Sequence, residues 1–275
     1  MPSSNPITMT LPPFAGAVRK LVLANAGVFL GLMLLGLLLP GVALFVLRQC
    51  ALSPDAVLHG EIWRLVTYVF LEGGLLAFLL NNLLIWFCGS LLESSYGGRW
   101  FAELYFVSAA GGALLASAIS FTRILHLSPL SIYAGADAAI FGMLAVIAAR
   151  FGDLEFWIFF LIKIKAKYLV AIYVFINLAL LLRNSNAFDA LLSLCGLLAG
   201  YLYLEFAPRR GLAFGFSERF FGLRNAWYRA KRRRAARKFE VYMGKQGRKV
   251  HFDKEGRYLD PDEERKKPKD KRWMN

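Results

Sequence analysis

The chain has 275 residues, 57% of them hydrophobic and only 19% charged, with a mean hydropathy of +0.46 and a formal net charge of +14. A water-soluble domain of that length does not need so much apolar material, so a soluble enzyme or a disordered polyelectrolyte is excluded as the main body of the protein. Three scattered cysteines, Cys50, Cys88 and Cys195, give no disulfide framework and no metal-ligand spacing, so neither a metal nor another cofactor is expected.

Six apolar tracts follow one another at about 21–39, 75–92, 100–121, 137–151, 168–182 and 188–206. A membrane-crossing helix needs roughly 20 apolar residues, and the tracts are read as six transmembrane helices. The fourth is short, which places its start below the membrane surface, and residues 156–162 lend the fifth an interfacial approach. The first has no cleavage pattern after it and reads as a retained signal anchor. Arg19, Lys20, Arg99, Arg150, Lys163, Lys165 and Lys167 fall on one side of this layout, and Arg48, Arg64, Arg123 and Arg183 on the other. The richer side is cytoplasmic by the positive-inside rule, so both termini are expected in the cytoplasm, on an inner or cytoplasmic membrane.

Several separate tracts resemble the rhomboid family of intramembrane serine proteases, over about residues 20–208. Residues 59–68 carry the Trp63-Arg64 pair that ends the family's large first loop. Residues 81–89, then Glu93 and residues 96–100, resemble its second helix and following turn, with Asn81 where the family places an oxyanion-binding asparagine. Lys163, Lys165 and Lys167 resemble the basic loop before helix five. Gly196 and Gly200 resemble the glycine pair of helix six, whose spacing lets two helices approach closely in lipid. The implied fold is all-α: a six-transmembrane-helix rhomboid-like bundle at 20–208, after a cytoplasmic segment at 1–19 and before a basic cytoplasmic tail at 209–275.

The resemblance fails at the residues that carry the chemistry. The family's G-x-S-G reads Gly135-Ala136-Asp137-Ala138, and the two histidine positions it implies fall at Ser193 and Ala77. The chain's three histidines, His59, His126 and His251, all lie outside the apolar tracts, and no tract contains a lysine. No base is therefore on hand in the membrane to activate a hydroxyl. Asp137, opening the fourth tract, reads first as a helix N-cap, hydrogen-bonded to Ser193 and Asn81. Alternatively it accepts hydrogen bonds from a client's transmembrane segment, or pairs with Asp189 in an aspartyl mechanism, although Asp189 fits a cap of helix six better. Asn81 and Asn82 read as polar glue between helices or as the floor of a client groove, while Trp63 and Arg64 read as headgroup anchors. Asn81, Asp137, Ser193 and Trp63 are the candidate client contacts.

From residue 209 onward the chain holds 22 Lys and Arg against 9 Asp and Glu, a net of +13. A basic helix over about 217–240, capped by Ser217, carries Phe220, Phe221, Trp227 and Tyr228 first. Its candidate polyanion contacts come next: Arg229, Lys231, Arg232, Arg233, Arg234, Arg237 and Lys238. Such a helix suits an anionic leaflet, and equally suits ribosomal RNA. A short hairpin around residues 254–256 is expected after it, and disorder from Tyr258 on. The sequence thus leaves three functions: a rhomboid-like pseudoprotease that binds client transmembrane segments without cutting them, an active protease with a noncanonical site, and a membrane anchor whose tail recruits RNA or ribosomes.

Overall fold

The computed structural model describes residues 12–122, 127–158, 162–183, 187–207, 212–245, 250–252 and 258–259. They form two compact units, Met1–Leu212 and Ala213–Asn275.

In the first unit α1 (Gly16–Leu38) gives way to α2 (Pro40–Cys50) at Leu39. Pro40 lacks the amide that would continue α1, and its fixed φ suits the first position of a new helix. Two short helices follow, α3 (Pro54–Leu58) and α4 (Arg64–Thr67), the latter running into a 3₁₀ turn at Tyr68–Phe70. Then come α5 (Leu75–Tyr96) and α6 (Gly98–Phe121), separated by Gly97 alone. Gly97 has φ +89°, a conformation that residues with a Cβ adopt rarely. This tight turn lies beside Glu93, whose carboxylate accepts hydrogen bonds from the backbone N–H groups of Ala17 (2.8 Å) and Val18 (2.9 Å). A carboxylate there satisfies two orphan donors of the first turn of α1 and meets the positive end of its dipole.

The central helix is α7 (Asp137–Phe151), in which every residue from Ala138 to Ile147 is buried. A helix that is apolar all round belongs in the middle of a bundle, and α5, α6, α8 (Ala166–Leu182) and α9 (Ala187–Phe206) all pack on it. The six apolar tracts thus form α1, α5, α6, α7, α8 and α9. Among the described residues α1, α5, α6 and α9 are long and apolar enough to cross a membrane, while α8 is a shorter apolar helix.

The described residues of the interfacial approach to the fifth helix, 156–158 and 162, lie in strands. Glu155–Ile158 (β1) and Ile162–Lys165 (β2) pair antiparallel, Glu155 opposite Lys165, and 159–161 lie outside the described residues. The ladder continues onto the end of α7 through Ala166 N to Leu154 O (2.8 Å) and Lys167 N to Gly152 O (3.2 Å). Isoleucines and aromatics favour strands as readily as they favour an apolar surface, which is why the tract was ambiguous.

The second unit holds α10 (Leu212–Lys245) and a hairpin of β3 (His251–Phe252) with β4 (Tyr258–Leu259). The hairpin expected around 254–256 is therefore present at its paired strands, and Tyr258 and Leu259 belong to it rather than to a disordered end. The remainder of that end, from 260, lies outside the described residues. Because α10 starts at Leu212, Ser217 is an interior helical residue and not its cap. Arg229, Lys231, Arg232 and Arg234 are exposed on α10, and Arg233, Arg237 and Lys238 are part of the same helix. Trp227 and Tyr228 pack edge to face at 5.2 Å, and the Lys231 ammonium lies 5.3 Å from the centre of the Trp227 ring.

Candidate functional site

The segment before α7 is tied to the loop that follows α2. Leu52 and Tyr133 exchange backbone hydrogen bonds of 2.8 and 2.9 Å, and Asp55 N donates to Pro129 O at 3.0 Å. Further on, Gly135 N donates to Tyr68 O at 3.1 Å, and Tyr68 buries its ring and donates its hydroxyl to Ala109 O at 2.9 Å. Gly135 has φ +154°, and a Cβ there would lie 2.8 Å from the Tyr133 hydroxyl and 3.1 Å from the Asp137 carboxylate. The absent side chain is what allows Tyr133 to fold back on the start of α7.

Asp137 is the first residue of α7, after Ala136, and its side chain makes no capping bond. Its carboxylate instead accepts the hydroxyl of Tyr133, one turn upstream. Ser193 and Asn81 do not bond to it. The Ser193 hydroxyl is buried and donates to Asp189 O of its own helix at 3.0 Å, and the Asn81 amide donates to the Glu72 carboxylate at 3.1 and 3.2 Å. The cap reading of Asp137 is thereby corrected: a tyrosine donor close in sequence competes successfully with the backbone amides. Asp189 lies in the first turn of α9 rather than before it, where its charge still suits the helix dipole.

Two further readings change. The Asn82 amide donates to Phe78 O of its own helix at 2.9 Å, so neither asparagine nitrogen bridges to another helix. Arg64 is no headgroup anchor: it is 7% exposed. Its guanidinium donates to Arg48 O, Ala51 O (2.7 Å), the Gln49 side chain (3.0 Å) and the Glu61 carboxylate (2.5 Å). It staples the end of α2 to α4. Trp63 is half exposed and donates its indole N–H to Gln49 O at 3.1 Å. Ala77 lies on an uncovered stretch of α5, one turn before Asn81. His59 is at the end of α3, His251 is in β3, and His126 lies outside the described residues.

Glu72 is the site residue the sequence did not flag. It sits in the loop between Phe70 and α5, and burial first, then the charge of Asp137, push its carboxyl up to about 7 against the pull of hydrogen bonds from Asn81 and the Ala136 backbone. Tyr133, also in a loop, is held well above its ordinary value by burial and by Asp137, so it remains a donor. A lone acid just ahead of an apolar tract, and a tyrosine four residues before Asp137, were the only signals available.

The Glu72 shift has a definite consequence for stability. Below about 4.5 the carboxyl is protonated whether the chain is folded or not, and it contributes no pH dependence. As pH rises from there to about 7 the unfolded chain ionises first, so stability falls, and above about 7 the whole penalty is present. With a discount for partial exposure that penalty is about 2 kcal/mol. Glu72→Gln keeps an uncharged partner for Asn81, so it should unfold at the same temperature as the parent protein at pH 4 and at a higher temperature at pH 8. Thermal unfolding in detergent at both values checks this, and equal pH slopes for the two proteins would contradict it.

A family model described as a Rhomboid domain matches residues 59–210. RHOMBOID-like protein 1 of Arabidopsis thaliana is 33% identical over 133 residues, 48% of this chain and 32% of that protein. RHOMBOID-like protein 5 of the same plant is 31% identical over 100 residues, 36% of this chain and 30% of that protein. Rhomboid-like protease 3 of Toxoplasma gondii is 29% identical over 161 residues, 58% of this chain and 57% of that protein. The aligned part spans about a third of the two plant relatives and somewhat more than half of the protozoan one.

Proposed function

The chain belongs to the rhomboid family, and from that premise we propose that it is a pseudoprotease, an integral membrane protein that binds client transmembrane segments and does not cleave them. The observation that carries this reading is the pairing of Asp137 with Tyr133 at the position of the family's serine. A carboxylate in that place has no hydroxyl proton for a base to remove. The histidine positions support the same conclusion, because Ser193 donates to its own helix and Ala77 has no titratable group. Two carboxylates, Glu72 and Asp137, keep acceptor capacity beyond the bonds they already make. Together with Asn81 they define the polar region that a client's polar or unwound segment would meet, with Ser193 and the half-exposed Trp63 as further candidate contacts.

The accompanying topology is six spans with both ends on the cytoplasmic side of a cytoplasmic membrane. Short α7 is accommodated because protein buries it from Ala138 to Ile147, so that stretch does not need to match the lipid thickness. The exposed cations of α10, with Trp227 and Tyr228 beside them, suit docking on an anionic leaflet. Ribosomal RNA is the rival polyanion for the same surface, in which case the membrane part would serve as its anchor.

A noncanonical aspartyl protease is the second reading, and one observation favours it: the Asp137 charge acts on a second, buried carboxyl, Glu72, besides the Asp189 that the sequence offers. An aspartyl mechanism needs two interacting carboxyls, one of them held protonated near neutral pH, and Glu72 has that character. Incubation of the purified protein with transmembrane substrates separates the two readings. Retention of intact substrate supports the pseudoprotease, and cleavage that is lost in Glu72→Gln or Asp137→Asn supports the protease.

A further inference from the structure

Away from the polar region, a cavity of about 610 Å³ opens between α7, α8 and α9. Its floor is made by Ala145, Ala148 and Ala149 of α7, small side chains on one face of a helix, and one wall by α8. Along α8 it extends from Lys167 to Leu178, a rise of about 16 Å at about 1.5 Å per residue. That is about half of the roughly 30 Å hydrocarbon core of a bilayer, the depth of a single leaflet.

The end of the groove at Lys167 is cationic. The ammonium groups of Lys165 and Lys167 converge on one oxygen of Asp153, at 3.5 and 2.9 Å. Glu155 lies opposite Lys165 as well, so the positive excess at this end comes from the further cations beside the pair. Residues 150–167 as a whole carry Arg150, Lys163, Lys165 and Lys167 against Asp153 and Glu155. The rest of the lining is almost wholly apolar, ending in Phe175 and Leu178, both exposed as they would be to lipid.

We infer that this groove is a binding site for one anionic glycerophospholipid, with an acyl chain lying along α8 and the phosphate at Lys165 and Lys167. The shape selects a chain over a helix. An extended hydrocarbon chain is thinner than a helix with its side chains, about 10 Å across, and can lie lengthwise on the alanine floor. The charge selects the headgroup, since basic pockets between membrane helices on the cytoplasmic side favour anionic lipids. A zwitterionic lipid would fill the groove equally well but bring its own cation to a segment in which four cations already face two carboxylates. The lysines are also placed to exchange partners, because both are 44% exposed and the Asp153 carboxylate they share is 80% exposed.

Photo-crosslinking of the full chain in vesicles tests the inference, with phosphatidylglycerol and phosphatidylcholine bearing the same diazirine acyl chain. Phosphatidylglycerol should label the peptides of α7, α8 and α9 that line the groove on the order of tenfold more than phosphatidylcholine, at about fivefold per lysine before competition from Asp153. Lys165→Gln with Lys167→Gln alters exposed side chains only and leaves the basic tail intact. It should bring the two lipids to the same yield. Ala171→Trp fills the groove from the lipid side, and should abolish groove labelling by both lipids while labelling of lipid-facing α1 persists at its parent level. Equal labelling by the two lipids, a preference that survives the double lysine substitution, or a copurifying peptide crosslinked in the groove in place of lipid would each overturn the assignment.

Discussion

Gly196→Val is expected to leave little or no folded protein. A Cβ at Gly196 would lie 2.6 Å from the Ala138 Cα on α7 and would also meet the carbonyl oxygen of the same residue. On its other side, a Cβ at Gly112 of α6 would come 2.8 Å from the Gly196 Cα, so three helices meet at this point. One turn on, a Cβ at Gly200 would lie 2.6 Å from the carbonyl oxygen of Gly142. The obstacles are backbone atoms of packed helices, which have no rotamer by which to yield. Relief requires α9 to move away from α7, and that would expose the face on which Leu192 and Cys195 are buried. Disruptions of this kind exceed about 4 kcal/mol. Gly196→Ala should be severe as well, because the first added carbon already collides. Leu198→Ala, at a position 48% exposed on the same helix, should be nearly neutral. Yield of monodisperse protein and thermal unfolding in detergent report the difference, and a Gly196→Val protein as stable as Leu198→Ala would refute this account of the helix contact.

Arg64→Ala is expected to destabilise the protein by about 3 to 5 kcal/mol. The guanidinium is buried, and its removal strips the Arg48 and Ala51 carbonyls of their donor and leaves Glu61 without its ion pair. Each buried group left unsatisfied costs about 1 to 3 kcal/mol, and breaking a buried charge pair adds to this. Arg64→Lys should recover only part, since one ammonium cannot reach three carbonyl oxygens and a carboxylate as a planar fork does. The effect reaches the polar region, because the staple precedes Tyr68, whose backbone oxygen holds Gly135. Chemical unfolding in mild detergent, read from tryptophan fluorescence, measures it. Equal stabilities of Arg64→Ala and the parent protein would show that the loop does not depend on the staple.

Much of this was legible in the sequence because apolar periodicity and helix boundaries are local. The tract at 137–151 became α7 with the same ends, and 168–182 became α8 with two residues added at its start. The glycine pair was readable because four-residue spacing places both on one face whatever they pack against. What stayed hidden depended on contacts distant in sequence. Arg64 looks like an interfacial anchor until α2 folds over it. Glu72 looks like a loop acid until Asn81 and the start of α7 enclose it. Asp137 looks like a cap because Asp is favoured there, and the tyrosine that claims its side chain reaches it only through the glycine at 135. The pairing of 155–158 with 162–165 stays hidden in the sequence because a short run of isoleucine and aromatic residues has no period that distinguishes an interfacial segment from a strand.

The central claim, that this rhomboid-family chain holds transmembrane segments without cutting them, is tested most directly by one reconstitution. The full chain is incubated in lipid vesicles with a panel of fluorescently tagged single-span substrates at pH 5, 7 and 8, and the products are resolved by mass. The account predicts that substrate copurifies intact at every pH and that Asp137→Asn and Glu72→Gln leave the product profile unchanged. A cleavage product formed by the parent protein and lost in either variant would contradict it.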